Sequence, residues 1–483
     1  MVSVIFIFPV FSVFFLLSRP ATKFRKTPSQ AKLSSANLLH GNPHRRVSKM
    51  YSFWYMVMIS YGVYYSTISN GSGLADFFHG QDVNRIEQLL SLTPILKRGP
   101  TVPIWFQNRH IQFIPWILQN ELHKLGGGIP FQRLTHVVTD CLEKGSSPCL
   151  DDSLMTDTVT LDIFPPMNTT DEGFHQGSPV ILFQPGLRCF SQDLPGVTII
   201  RAAYGKKFRS VVVNRRGHTP NQILKAPRWN IFGDIDDLES VFFFLKDEVL
   251  APNTAFFLHG ISSGTAVTVH ALAEFDKRRI EDPLRRTPVF VGATTLTPGY
   301  DIQKVMLPER FKWPYNPLMT LAVQEHFILQ NEKILRDFDS ASVDAALQTK
   351  NLQEFVNATV KFAGYNSTEE YYAHTNPVKG LHHITTPVLV LNSLDDPCCD
   401  INNLYEPSKF HPGQTYDEVI KQSNSTIVAI TRTGSHCPFL DGYFPFVRDP
   451  LNGLFMLNSW ADTSIIEYYS AAMEVYDDRR FLQ

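Results

Sequence analysis

The chain has 483 residues, 43% apolar and 19% charged, with a formal net charge of −2. That balance suits ordinary globular cores and supplies no field that would draw in nucleic acid, so no nucleic-acid partner is expected. Six cysteines without a Cys-x-x-Cys pair are too few for a disulfide-stapled scaffold. They read as ordinary thiols, with Cys141 and Cys149, on either side of a Gly-Ser-Ser-Pro loop, as the one pair that an oxidising compartment could bridge.

Residues 1–75 contain no Asp or Glu and set two apolar runs, Val2–Leu17 and Tyr51–Ile68, around Arg19, Lys23, Arg25, Lys26, Lys32, Arg45, Arg46 and Lys49. The second run, 18 residues long, is near the lower limit for spanning a bilayer. Basic residues ahead of it favour the cytoplasmic side, so 51–68 is expected to be a single amino-terminal transmembrane signal anchor. Such an anchor would place the rest of the chain in a lumen or outside, at the endoplasmic reticulum, another endomembrane or the plasma membrane. Residues 1–49 then read as a targeting peptide or as an extension upstream of a start at Met50. Asn70, Asn168, Asn357, Asn366 and Asn424 each head an Asn-x-Ser/Thr triplet, which suits that topology.

Residues 76–150 read as an amino-terminal cap, with helical patterns at Arg85–Leu92 and Gln112–Leu125 and no chemistry of their own. Short β-rich runs follow at Thr158–Phe164, Pro179–Phe183, Arg209–Asn214, Ala255–Leu258, Pro288–Thr294, Pro387–Leu391 and Ser425–Thr431. Most are continuously apolar, as strands buried on both faces are. Helical segments at Asp234–Val249, Ser263–Lys277 and Thr463–Tyr476 alternate with the later strands. Alternation predicts an α/β domain over 151–483 with a mostly parallel sheet flanked by helices. An insertion over 298–374 interrupts it, and its aromatic residues (Phe311, Trp313, Tyr315, Phe327, Phe338, Phe355, Phe362) suit either a helical lid over a lipophilic pocket or helices packed on the core.

The strand Ala255–Leu258 leads into His259-Gly260-Ile261-Ser262-Ser263-Gly264, and a helix rich in small residues starts at once. A nucleophilic serine needs this setting. It must project from a tight turn at the edge of a sheet, with glycines two before and two after so that neighbouring backbone can pass. Ser262 is the expected nucleophile. A serine hydroxyl also needs a histidine base, and the base needs a carboxylate to fix its tautomer; in this strand-turn-helix setting the chain order is Ser, acid, His. After Pro387–Leu391 come Asp395 and Asp396, one of which should be the acid; Asp396, ahead of Pro397, is preferred, with Asp395 capping or bracing the loop. After Ser425–Thr431 a Gly434-Ser435 turn presents His436, the expected base. The loop Gln184-Pro185-Gly186-Leu187 follows an earlier strand, so the N–H groups of Leu187 and Ser263 are expected to hold the oxyanion. No metal or organic cofactor is needed for such chemistry.

Taken together, Pro103-Ile104-Trp105, His110-Ile111-Gln112, Pro185-Gly186-Leu187, Asn214-Arg215-Arg216-Gly217, Gly260-Ile261-Ser262-Ser263-Gly264, Gly364-Tyr365-Asn366-Ser367, Asn392-Ser393-Leu394-Asp395-Asp396-Pro397 and Gly434-Ser435-His436 with Phe439-Leu440-Asp441-Gly442 give the chain a family likeness. From about Pro94 to Tyr476 it resembles the membrane-anchored branch of the α/β-hydrolases (AB-hydrolase-4 type) that includes a medium-chain phospholipase, a monoacylglycerol lipase, plant embryogenesis-associated proteins and yeast ester-forming acyltransferases. The resemblance implies the α/β-hydrolase fold and a triad of Ser262, Asp396 and His436. It also implies an anchor at 51–68 and a membrane lipid ester as substrate, cleaved by a carboxylic ester hydrolase of lipase or phospholipase type. Acyl transfer to an alcohol by the same triad, or a silent lipid-binding protein of the same fold, are the alternatives it leaves. Two departures stand out. Arg188 and Cys189 follow Leu187 where many members have small residues and a second glycine, which is expected to narrow the acyl entrance or put a cation near a lipid phosphate. Asp441 stands where the family often has Glu and forms a His-x4-Asp spacing with His436, read here as coincidental. Cys189, Cys398, Cys399 and Cys437 all flank the site segments, with no basic cluster to activate a thiol.

Overall fold

The computed structural model describes residues 72–476 apart from 103–105, 142–153 and the single positions 194, 221, 230, 233, 312, 444 and 454. The expected anchor at 51–68, the run Val2–Leu17, Asn70, Pro103-Ile104-Trp105 and the side chains of Cys141 and Cys149 lie outside the described residues. No helix among the described residues is long and apolar enough to cross a membrane.

Nine strands form one sheet among the described residues: β1 (Leu74–His79), β2 (Gln132–Cys141), β3 (Leu154–Phe164), β4 (Val180–Gln184), β5 (Arg209–Asn214), β6 (Phe256–Ile261), β7 (Gly292–Leu296), β8 (Val388–Ser393) and β9 (Thr426–Thr431). Their order across the sheet is β1-β9-β8-β7-β6-β4-β5-β3-β2. From β5 through β4, β6, β7 and β8 to β9 every pairing is parallel. The edges are antiparallel, β1 on β9 at one side and β5-β3-β2 at the other. This is the α/β-hydrolase arrangement, extended by β1.

The continuous apolar runs reflect burial on both faces. Along β4, Val180 and Leu182 point into one core while Ile181 and Phe183 point into the other. The first core is closed by helices α4 (Asp236–Phe244) and α5 (Gly264–Glu281) and the second by α1 (Val83–Leu92), α3 (Gly196–Gly205) and α10 (Trp460–Tyr476), with α2 (Phe113–Leu125) lying before β2 in the chain. The insertion between β7 and β8 holds α6 (Tyr315–Val323), α7 (Glu332–Gln348), α8 (Leu352–Thr359) and α9 (Thr368–Thr375), which share a third core with Trp229, Ile231 and Phe232. Phe311, Phe327, Phe355 and Phe362 are buried there, whereas Trp313 is 82% exposed.

Several expectations need correction. The 76–150 segment contributes to the sheet: β1 and β2 lie beside the later strands, and all described residues fall in one unit. Both strands are at sheet edges, and β2 has one wet face. Along β2, Arg133, Thr135, Val137 and Thr139 are exposed and alternate with less exposed residues, so no apolar run marks the strand. The strand expected at Pro288–Thr294 begins at Gly292 and ends at Leu296. Its last residues, Thr295 and Leu296, pair with Gly260 and Ile261 beside the nucleophile turn. Helix α3 was not foreseen, since Val197, Thr198, Ile199 and Ile200 are β-branched and disfavour a helix locally; all four are buried, and packing against the sheet overrides that preference.

One buried ion cluster ties an edge to the centre. Arg216, just past β5, donates from Nε and Nη2 to the two carboxylate oxygens of Asp237 at 2.8 and 2.9 Å, and from Nη2 to Asp140 of β2 at 3.1 Å. Its side chain is 3% exposed. Removing the cation would take the bidentate partner from Asp237 and leave Asp140 with Arg228, whose Nε is 3.8 Å away, in a medium that solvates carboxylates poorly. An Arg216→Met substitution is therefore expected to lower unfolding stability by about 3–5 kcal/mol, read from urea denaturation; a loss under about 1 kcal/mol would show that the cluster contributes little.

Candidate active site

Strand β6 delivers Ser262 onto a backbone that L-residues avoid, with φ of 51°. Two contacts hold it there: Ser262 N–H donates to Leu296 O at 2.9 Å at the end of β7, and Thr265 N–H and Oγ1 donate to Ser262 O at 3.0 and 2.6 Å. The flanking glycines are steric requirements. A Cβ on Gly260 would strike Thr268 Oγ1 and the Gly264 carbonyl, and one on Gly264 would strike the Gln184 carbonyl. The backbones of the nucleophile turn and of the 184–187 loop therefore touch.

The residues expected to act with Ser262 meet it. His436 Nε2 lies 2.8 Å from Ser262 Oγ, and His436 Nδ1 lies 2.8 Å from Asp396 Oδ2 and 3.1 Å from Oδ1. This is the distance and order that proton transfer from serine to imidazole requires, with the second ring nitrogen held by a carboxylate. Asp396 Oδ1 also accepts from Cys398 N–H at 2.7 Å and Cys399 N–H at 2.9 Å. Asp395 points elsewhere: its Oδ1 accepts from Gly434 N–H at 2.9 Å and Ser435 N–H at 2.8 Å, bracing the histidine turn. Of the two carboxylates, Asp396 is the one that reaches His436.

The histidine turn is strained and clamped. Ser435, Cys437 and Phe439 all have positive φ. Ser393 Oγ donates to Ser435 O at 2.9 Å, and Ser435 Oγ donates to the Arg109 carbonyl at 2.6 Å. Asp441 belongs to the same brace: it pairs with Arg98 at 2.5 Å and accepts from Thr101 N–H at 2.7 Å. His-x4-Asp is a spacing without a shared site, because the carboxylate is turned to Arg98. The 76–150 segment thus helps hold the turn that carries His436, a contribution not expected of it. Only the His110-Ile111-Gln112 motif next to Arg109 hinted at it; His110 Nδ1 reaches Tyr315 Oη in the insertion at 2.7 Å.

Ser262, Ser263, His436 and Leu187 share one pocket of about 530 Å³, counted with its opening to solvent. Phe232, Ile302, Val305, Met306, Phe311, Met319 and Leu352 make most of its remaining wall apolar. The N–H groups of Leu187 and Ser263 have no hydrogen-bond partner among the described residues and are free to meet an oxyanion. Arg188 and Cys189 do not line this pocket, so the expected narrowing of the entrance is not seen. Cys189 N–H donates to Gly186 O at 3.1 Å and Arg188 has φ of 63°, so the loop turns with a positive φ at its third residue. Glycine is favoured there; Arg188 accepts the strain with its side chain exposed to solvent.

Electrostatics separate the groups. Burial alone would lower the proton affinity of His436, but the adjacent Asp396 carboxylate outweighs it and raises the pKa well above the ordinary 6.5. Burial raises Asp395. It pushes the Cys189 thiol up to about 12 and the Cys398 and Cys399 thiols well above their ordinary range, so none of the three is a poised thiolate. Asp396, Cys399 and His436 offer ligand atoms within 4.8 Å of one another, but two of them are committed to the relay with Ser262.

No protein-family model matches the chain. It is similar to phospholipase ABHD3 of Bos taurus, 26% identical over 290 residues that cover 59% of this chain and 64% of that protein. The chain thus spans 64% of the length of that relative. It is also similar to monoacylglycerol lipase ABHD2 of Danio rerio, 25% identical over 397 residues, with 81% of this chain and 82% of that protein covered. Among solved structures, a hydrolase from Agrobacterium vitis S4 aligns over 71% of this chain and 99% of its own, with 12% identity and a TM-score of 0.37. The curated relatives are abhydrolase-domain lipases and phospholipases, in keeping with the fold.

Only a neutral His436 can take the Ser262 proton. Reaction of Ser262 with a fluorophosphonate is therefore expected to fall as pH drops through the raised His436 pKa. Asp396→Asn removes the carboxylate that raises it. The acid limb is expected to move to lower pH while the rate falls by about 10⁴-fold. An acid limb that stays in place in Asp396→Asn would detach Asp396 from the histidine.

Proposed function

We propose that the protein is a membrane-anchored serine ester hydrolase that cleaves lipid acyl esters of the acylglycerol or phospholipid type. The observation that carries the reading is the hydrogen-bonded series Ser262, His436, Asp396 opening on an apolar pocket. The names of the phospholipase and monoacylglycerol lipase relatives favour a lipid ester.

In this reading Ser262 Oγ attacks the acyl carbonyl carbon as its proton passes to His436 Nε2, and Asp396 stabilises the imidazolium. The carbonyl oxygen, now an oxyanion, accepts from the Leu187 and Ser263 N–H groups. The carbon–oxygen bond to the leaving alcohol breaks as the alcohol takes the proton from His436. Water then adds to the acyl carbon and gives a proton to His436; the bond from that carbon to Ser262 Oγ breaks as Oγ takes the proton back, and the fatty acid leaves. The pocket wall would hold the acyl chain.

Membrane attachment rests on the run 51–68 and the basic residues ahead of it. The asparagines of the four described Asn-x-Ser/Thr triplets, Asn168, Asn357, Asn366 and Asn424, are all exposed, which suits a catalytic domain facing a lumen or the outside.

A fluorophosphonate is expected to label the wild type and not Ser262→Ala. Wild type with monoacylglycerol or phospholipid vesicles should release free fatty acid. No labelling of the wild type would indicate a silent binding protein, and ester formation from added glycerol exceeding fatty-acid release would make it an acyltransferase. In cells with a secretory pathway, the full chain is expected to resist alkaline carbonate extraction and to gain mobility on glycosidase treatment. A chain that washes off the membrane without glycan would overturn the proposed topology.

A further inference from the structure

Two adjacent arginines leave β5 and meet opposite environments. Arg216 is neutralised by Asp237 and Asp140, as described above. Arg215, 4% exposed, touches only neutral oxygens. Its Nη1 donates to the Ile231 carbonyl at 2.7 Å, its Nη2 donates both to the Pro185 carbonyl and to Ser263 Oγ, the latter at 2.8 Å, and its Nε has no partner. No carboxylate lies within ion-pair distance of it among the described residues. Burial lowers its proton affinity, but a guanidinium stays cationic at neutral pH, so a positive charge is held without a counter-ion.

The three acceptors give that charge a meaning. Pro185 precedes Gly186-Leu187, which carries one proposed oxyanion donor; Ser263 carries the other; and Ile231 adjoins Phe232 in the pocket wall. A single guanidinium nitrogen therefore spans the two halves of the oxyanion hole at the point where their backbones touch.

We propose that Arg215 is a positioning residue for the oxyanion hole. It fixes the spacing of the Leu187 and Ser263 N–H groups, and its unpaired charge is compensated only when the substrate carbonyl becomes an oxyanion. The proposal rests on the ester-hydrolase reading. Its signature is an effect on the transition state with little effect on substrate binding.

The test uses full-length wild type, Arg215→Met, Arg215→Lys and Ser263→Ala with a 4-nitrophenyl acyl ester, together with a trifluoromethyl ketone, which forms an oxyanion on Ser262. In Arg215→Met, kcat is expected to fall by about 100-fold with KM changed less than about threefold, and the ketone's inhibition constant to rise by a similar factor. Arg215→Lys, which keeps the charge, should recover about tenfold of the lost kcat, and Ser263→Ala, which removes one acceptor, should fall by about tenfold. The proposal is overturned if a folded Arg215→Met keeps kcat within about threefold, or if KM rises while kcat and the ketone constant do not move. Should Arg215→Met fail to fold, the same two readouts on Arg215→Lys and Ser263→Ala decide, and wild-type values in both overturn it. A wild type that neither turns over the ester nor takes a fluorophosphonate fails the hydrolase reading instead, a separate result.

Discussion

Ser262 sits at φ of 51° where β6 becomes α5, and the rest of the site is arranged around that backbone. A left-handed serine is costly, and it persists only because its surroundings leave no alternative. Its N–H is held by the end of β7, its carbonyl by Thr265, and the crowding at Gly260 and Gly264 admits no side chain. The same crowding brings the 184–187 loop against the nucleophile turn. Strain, the placement of the unbonded Leu187 and Ser263 N–H groups and the span of Arg215 are therefore consequences of one tight passage.

The imidazole of His436 is held by different means. His436 rides on a turn with three positive-φ residues, and that turn is fixed from three directions: Asp395 and Ser393 from the end of β8, Arg109 from the amino-terminal segment, and Arg98 through Asp441. Adjacent aspartates divide the work because one faces the turn's N–H groups and the other faces the imidazole ring. A carboxylate that accepts two backbone N–H bonds while holding an imidazole, as Asp396 does, has its orientation set before substrate arrives.

The amino-terminal segment matters more than its sequence indicates. Strand β1 closes the sheet beside β9, the strand that leads to His436, and β2 extends the opposite edge. Strand β2 shows only the weak alternation of a half-wet surface, and the partners of β1 and of Arg98, β9 and Asp441, lie hundreds of residues away. Neither is visible as a local pattern.

Much of the site was legible in the chain. Ser262, His436 and the parallel core could be read because strand burial on two faces leaves unbroken apolar runs and a nucleophile turn tolerates only glycine at two fixed positions; both are local constraints that must be written in consecutive residues. Tertiary structure decided what depends on distant partners: that Asp396 rather than Asp395 turns to His436, that Asp441 belongs to Arg98, that Arg188 points to solvent, that β-branched residues 197–200 form a helix, and that Arg215 is unpaired while Arg216 is not. In each case neighbouring residues have similar chemistry, and only the three-dimensional placement of a partner distinguishes them.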